Sequence, residues 1–345
     1  MINSYVTTSS DGIGTKYNGV DIEQTRDFIR LHCESYIDRM LHTHGWSTPG
    51  PQESDRHDSV PMAPSMINSL QNLPPGPAEG TAEHKALQDA CKFSYRQILG
   101  ELIYAYIVAR VDIGYAVTLL SQFSQAPAKE HYAALKHVCK YLRRTKSWGI
   151  VYHRTRPVED LPLVNLDRAS LDESLSMFPS TDPFQLTGFV DAAHATDMKE
   201  RRSITGLSFM LAGGVIAFKT KLQSCTATSS TEAEFTAAVH AAKVAKYLRS
   251  ILFELGYQQR AATPIYGDNQ AAIAMVNENK PTTRSRHIAI QLFAIQSWRR
   301  NKEVTMIWLN TVILPADAQT KALHSTLHTR HVRRLMGHYG APNQA

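Results

Sequence analysis

Residues 229–245 read Ser229-Ser230-Thr231-Glu232-Ala233-Glu234-Phe235-Thr236-Ala237-Ala238-Val239-His240-Ala241-Ala242-Lys243-Val244-Ala245. The apolar run continues to Leu255 without proline or glycine, and Gly256 stands where a helix closes in the left-handed conformation, so a helix over 230–255 is predicted. Counted from Glu234, Ala237, Ala238, Ala241, Ala245, Leu248 and Leu252 share one face. That stripe of small side chains lets the helix lie close on a sheet, with Glu234 facing inward at its N-terminal edge. Thr231-x-x-Glu234 and Ser229-x-x-Glu232 both fit a capping box, and the second would leave Glu234 free.

On either side of this helix the pattern turns to strands. Leu186–Asp191 and Gly206–Leu211 read as strands, Gly213-Gly214 as a hairpin turn and Val215–Lys219 as the returning strand. After the helix come a strand at Pro264–Gly267, helices near Gln270–Asn277 and Arg286–Arg300, a strand at Val304–Leu309 and a last helix near Pro315–Leu323. Antiparallel strands followed by alternating helices and strands predict a mixed α/β sheet with helices on its faces.

The first half is mostly helical. A strand at Lys16–Glu23 and a helix at Glu34–His44 precede helices at Tyr95–Ala109, Asp112–Ser124 and Lys129–Thr145. Proline-rich stretches at 47–84 and 154–183 read as linkers. The expected organisation is therefore 1–46, linker 47–84, a helical segment 85–153, linker 154–183, a sheet-bearing domain 184–325 and a basic tail 326–345. His324, His328, His331 and His338 fall in or beside that tail and read as solvated or as facing a polyanion rather than as metal ligands.

Of the 345 residues 43% are hydrophobic, yet no apolar run approaches the roughly 20 residues of a membrane span, and the N-terminus lacks the basic-then-apolar pattern of a signal peptide. The four cysteines form no Cys-x-x-Cys pair, against a disulfide scaffold or zinc ribbon. The net charge of +6 is unevenly placed. Residues 183–345 hold 19 Lys/Arg against 10 Asp/Glu, whereas 1–182 hold 18 against 21. A basic half poor in acids suggests a polyanionic partner.

Against that scarcity four carboxylates stand out. Asp191 and Asp268 each end an apolar strand, where open α/β sheets collect ligands, although either could cap the turn that follows. Glu234 is the inward-facing helix residue, and Asp317 opens the last helix, where the macrodipole favours an acid regardless of function. Four acids on one sheet edge repel one another unless divalent cations lie between them, and all-oxygen donors select Mg²⁺ or Mn²⁺.

Val190-Asp191-Ala192-Ala193, Arg202-Ser203-Ile204-Thr205-Gly206, Lys221-Leu222-Gln223, Ser229 to Phe235, Tyr266-Gly267-Asp268-Asn269-Gln270-Ala271-Ala272-Ile273, Arg286-His287-Ile288 and Ala316-Asp317-Ala318-Gln319-Thr320-Lys321 resemble, in order, the ribonuclease H domain of copia-type LTR retrotransposon polyproteins. Upstream, Tyr95 to Gly100, Arg110-Val111-Asp112-Ile113 and His131 to Leu142 resemble the connection between reverse transcriptase and RNase H, and Tyr17–Trp46 is similar to the end of the polymerase part. The sequence departs from the family's pattern at Val111, where the family has proline, and at Ala289, where it has aspartate. The resemblance implies an RNase H-like fold with a mixed five-stranded sheet after a helical connection segment. It implies catalytic and metal-binding roles for Asp191, Glu234, Asp268 and Asp317, with two Mg²⁺ or Mn²⁺ ions. It further implies cleavage of the RNA strand of RNA–DNA hybrids, a reverse transcriptase partner and an intracellular, cytoplasmic or nuclear, setting. An inactive fragment that only binds nucleic acid is the alternative. Polymerase activity is not expected, since the paired aspartates of a polymerase palm do not occur. Arg201, Arg202, Lys219 and Lys221 are candidate phosphate contacts, and Ser230, Asn269 and Gln270 candidate polar contacts to the duplex.

Overall fold

The computed structural model describes residues 14–49, 59–154, 184–197, 200–277 and 286–338. The chain opens with β1 (Lys16–Tyr17), β2 (Val20–Gln24) and β3 (Phe28–His32), followed by α1 (Glu34–Thr43). The expected strand at 16–23 is thus a hairpin turning on Asn18 and Gly19, both in the left-handed conformation. β3 pairs antiparallel with β4 (Gly149–His153), register Phe28↔His153 to His32↔Gly149, and completes a four-stranded sheet. Between these partners run α2 (Pro64–Gln71), α3 (Ala82–Cys91), α4 (Tyr95–Val108), α5 (Gly114–Ser121) and α6 (Lys129–Arg144). Ile98, Leu102, Leu119, Leu135, Val138 and Leu142 from the last three helices join Ile37 and Leu41 of α1 in one core.

One linker expectation changes. Within 47–84, Val60, Met62 and Leu70 are buried, and the His131 and His137 rings bond to the Leu70 and Val60 carbonyls. The prolines punctuate this stretch, but three apolar anchors are enough to dock its described part on the helices. The other linker, 154–183, lies outside the described residues except for Arg154, whose amide donates to the Asp27 carbonyl at 2.9 Å.

The second sheet consists of β5 (Thr187–Ala193), β6 (Ile204–Leu211), β7 (Gly214–Leu222), β8 (Thr263–Gly267) and β9 (Val304–Trp308) in the order β7-β6-β5-β8-β9. β6 runs antiparallel to both of its neighbours, β5 and β7, whereas β8 and β9 run parallel to β5. This is the order and polarity of an RNase H-like fold. On one face lie α7 (Ser230–Glu254), α8 (Gln270–Asn277) and α9 (Arg286–Arg300). Ala237, Ala238, Ala241, Ala245 and Leu252 of α7 are buried there against Val190, Leu207 and Ile265, as the small-residue stripe predicts. The opposite face carries α10 (Asp317–Thr320) and α11 (Ser325–Leu335), which pack on Phe189, Met210, Val215 and Tyr266.

α11 replaces the expected solvated tail, whose final residues, 339–345, fall outside the described ones. His328, His331, Val332 and Leu335 recur at helical spacing and are all buried, so the histidines belong to an inward face rather than a wet one. The His328 ring meets the Asp112 carbonyl at 3.4 Å. Asp112 in turn forms a fully buried ion pair with Arg110 at 2.6 Å, and Arg110 donates to the Thr145 carbonyl at 2.9 Å. After the helix Gly337 takes φ +72, and a Cβ there would stand 2.2 Å from the Val151 carbonyl oxygen. Glycine is therefore required where the chain closes on β4. The Met336 carbonyl accepts the Val151 amide at 2.8 Å, and the His338 ring bonds to the Gly149 carbonyl at 2.6 Å.

Burial, reinforced by Arg334 and Arg330, pushes the His331 imidazole down to about 3, and burial pushes His338 down to about 4. Both rings stay neutral in the folded chain below the ordinary histidine value of 6.5 and take up protons on unfolding. The contribution of these two rings to stability is therefore complete above about pH 6.5 and declines as the pH falls toward the folded values, by up to about 1.4 kcal/mol per pH unit for His331, whereas the raised carboxyls of Glu234 and Asp317 act in the opposite sense. Urea unfolding of wild type and His331→Phe at about pH 7.5 and about pH 5 is expected to show the stability of wild type relative to the variant falling at the lower pH, because only wild type carries the His331 linkage while His338, Glu234 and Asp317 contribute equally to both.

Candidate active site

Asp191 lies in β5, and Asp268 directly follows β8. The parallel register Gly188↔Ile265 and Phe189↔Tyr266, continued along both strands, sets the two aspartates side by side. Asp268 does not cap the helix after it. Asn269 does so, its Oδ1 accepting the Ala272 amide at 2.9 Å, while Asp268 Oδ2 accepts the Thr311 hydroxyl at 2.7 Å.

The two glutamates at the start of α7 divide their tasks. Ser229 Oγ accepts the Glu232 amide at 3.2 Å, and Glu232 reaches back to the Thr228 amide at 2.8 Å, so Glu232 belongs to the cap. Glu234 is turned inward, 8% exposed, and accepts the Ala192 amide. Single carboxylate oxygens of Asp191, Glu234 and Asp268 all lie within 4.8 Å of one another.

Asp317 opens α10 and is buried, but it stands outside that 4.8 Å triad. It enters the pocket through Lys321, whose Nζ is 2.9 Å from Asp317 Oδ1 and 3.3 Å from Asp191 Oδ2. Asp191 Oδ2 also accepts the Thr320 hydroxyl. Asp191 Oδ1, buried in a residue only 1% exposed, has no hydrogen-bond partner among the described residues. Thr320 and Lys321 were not among the expected site residues. The i,i+4 spacing of Asp317 and Lys321 on one helical turn was the signal for the second of them.

The electrostatics follow from crowding. Burial, then the charges of Asp191 and Asp268, raise the Glu234 carboxyl far above the usual carboxylate range, against the opposing pull of the Ala192 amide and Lys321. Burial and Asp191 raise Asp317 as well, with Lys321 opposing. Such a group of hard oxygen donors, one of them orphaned, fits a divalent oxygen-preferring cation.

No protein-family model matches the chain. It is 30% identical over 301 residues, 87% of its length, to the retrovirus-related Pol polyprotein from transposon TNT 1-94 of Nicotiana tabacum, covering 20% of that protein. It is 29% identical over 308 residues to the corresponding polyprotein from transposon RE1 of Arabidopsis thaliana, covering 18% of it. The chain belongs to the copia-type retrotransposon Pol polyproteins. It spans about a fifth of the length of these relatives. The solved structure of LC11-RNase H1 overlays 39% of this Pol chain and 91% of its own, at 9% identity and a TM-score of 0.31. At that score the fold rests on strand order and register, not on the overlay.

The remaining candidate contact residues differ in exposure and in how they are held. Lys219 and Lys221 are exposed on β7, and Thr220 between them faces the other way, its amide donating to the Tyr106 hydroxyl at 2.8 Å. Ser230 and Gln270 are exposed at helix starts. Arg201 is exposed with φ +54, whereas Arg202 is held by Glu200 at 2.8 Å and Asp197 at 3.3 Å. A cleft of about 200 Å³ is lined by Lys221, Gln223, Ser224, Thr236, His240 and Gln291.

Gly206, paired with Asp191 across β5 and β6, lets α10 approach. A Cβ at 206 would meet Thr320 Cγ2 at 2.6 Å, Gln319 Cβ at 2.9 Å and the Ala316 carbonyl oxygen at 3.1 Å. Gly206→Ala is expected to destabilise the chain by about 1–3 kcal/mol through overpacking. Gly100→Ala, in α4 with nothing within 4 Å of the added carbon, is expected to be neutral or stabilising. Paired chemical denaturation of the two variants checks the contrast.

Proposed function

We propose that the chain hydrolyses the RNA strand of RNA–DNA hybrids, working inside the cell, in cytoplasm or nucleus, with the reverse transcriptase part of a Pol polyprotein as its partner. One observation carries this reading: three carboxylates from β5, the start of α7 and the end of β8 converge within 4.8 Å in a chain of this family, with Asp191 Oδ1 unpartnered. Asp191, Glu234, Asp268 and Asp317 would hold two Mg²⁺ or Mn²⁺ ions. Bound there, such ions would supply a water acidified toward neutral pH and positive charge for the departing oxygen.

The chain's own groups position the rest. The Thr320 hydroxyl and the Ala192 amide fix the Asp191 and Glu234 carboxylates, so little reorganisation is left for the reaction itself. Lys219, Lys221 and Arg201 present cations to the duplex backbone from exposed positions. Ser230, Gln270 and the cap residue Asn269 offer polar groups at the mouth of the pocket, suited to the 2′-hydroxyls that distinguish RNA from DNA.

The full chain incubated with end-labelled hybrid and Mg²⁺ is expected to cut the RNA strand. Asp191→Asn is expected to slow cutting by at least about a hundredfold while leaving hybrid affinity nearly unchanged. Equal cleavage by wild type and variant would end the assignment, and salt-dependent binding without turnover would replace it with a binding role.

A further inference from the structure

Lys321 reaches the acidic pocket from the residue that follows α10. Its ammonium bridges the strand carboxylate to the helix carboxylate, 3.3 Å from Asp191 Oδ2 and 2.9 Å from Asp317 Oδ1. The lysine side chain is 38% exposed, while those of Asp191 and Asp317 are 1% and 3% exposed, so a partly exposed cation closes a buried anionic pair from the solvent side. Asp191 spends Oδ2 on Thr320 and Lys321 and keeps Oδ1 unpartnered. The pocket is thereby divided. The Asp191–Glu234–Asp268 side gathers three oxygens with no cation among the described residues bonded to Asp191 Oδ1, and the Asp317 side already carries a positive charge.

We propose that Lys321 is a positioning residue that occupies the Asp317 side of the site in place of a divalent ion. The free chain then takes one ion on the triad side and admits a second only when Lys321 is drawn away. The inference rests on the hydrolytic reading above, and a backbone phosphate of the bound hybrid is the anion able to draw the ammonium off. A lysine suits this task because its charge is a point on a flexible stem, able to move between acceptors without the fixed geometry of a guanidinium. While it stays, its repulsion of a nearby divalent ion in a partly buried site is large compared with thermal energy.

The test is calorimetric titration of the full-length chain with Mn²⁺ in the absence of nucleic acid. Wild type is expected to bind one ion per chain. Lys321→Met is expected to bind a second, with a dissociation constant at least about tenfold below the highest Mn²⁺ concentration at which wild type still binds one, and Lys321→Arg to restore the wild-type curve. Adding Asp317→Asn to Lys321→Met is expected to abolish the gain, because Asp317 is the ligand that Lys321 covers. Two-ion binding by wild type, identical curves for wild type and Lys321→Met, or a gain that survives Asp317→Asn would each overturn the proposal. Hybrid cleavage is scored separately. A second ion that depends on Lys321 in a chain that does not cut keeps this inference and removes the hydrolytic reading, whereas cutting with no such dependence does the reverse.

Discussion

Acids that repel one another must be held together by something other than their own attractions. In this chain that work falls to apolar packing. Asp191 and Asp268 are fixed by the parallel pairing of two buried strands, and Glu234 by a helix whose alanines allow it to settle close on the sheet. Asp317 is brought in by a short helix that can approach only because position 206 has no side chain. The steric fit of the frame sets the positions of the carboxylates, and the charge they concentrate is left to be answered by cations.

Much of this was legible in the sequence because it depends on local pattern. The alanine stripe of α7 distinguishes Glu234 from Glu232 in the sequence alone, and Asp268 stands at the end of its strand as the pattern predicts, whereas β5 runs on to Ala193 and keeps Asp191 inside the strand. Asn269 illustrates the limit: a polar residue beside Asp268 serves as a helix cap, and in the sequence either could have filled that role. Lys321 was visible as a motif residue, but its bridge to Asp191 joins positions far apart in the chain and could not be read from spacing alone.

The same limit explains what was misread in the first half and at the C-terminal end. A stretch such as 59–84 has the composition of a linker, yet a few apolar side chains find a prepared surface on α6 and its neighbours. The pairing of β3 with β4 joins segments separated by more than a hundred residues, which no local periodicity announces. α11 looked basic and histidine-rich. Its buried face packs on the second sheet, with the Asp112 carbonyl meeting His328 and β4 meeting the turn after the helix.

The closure of Gly337 on Val151 has a wider consequence. The hydrogen bonds from Met336 and His338 to β4 make the helical first half and the sheet-bearing second half share a wall. Excising the second half as an autonomous module would leave α11 on its own sheet but strip the cover from His328 and sever the bonds to β4. The two halves are thus better regarded as one cooperative body whose seam is sealed by the last helix of the described chain, so that damage at this far end would be felt in the helices near the beginning.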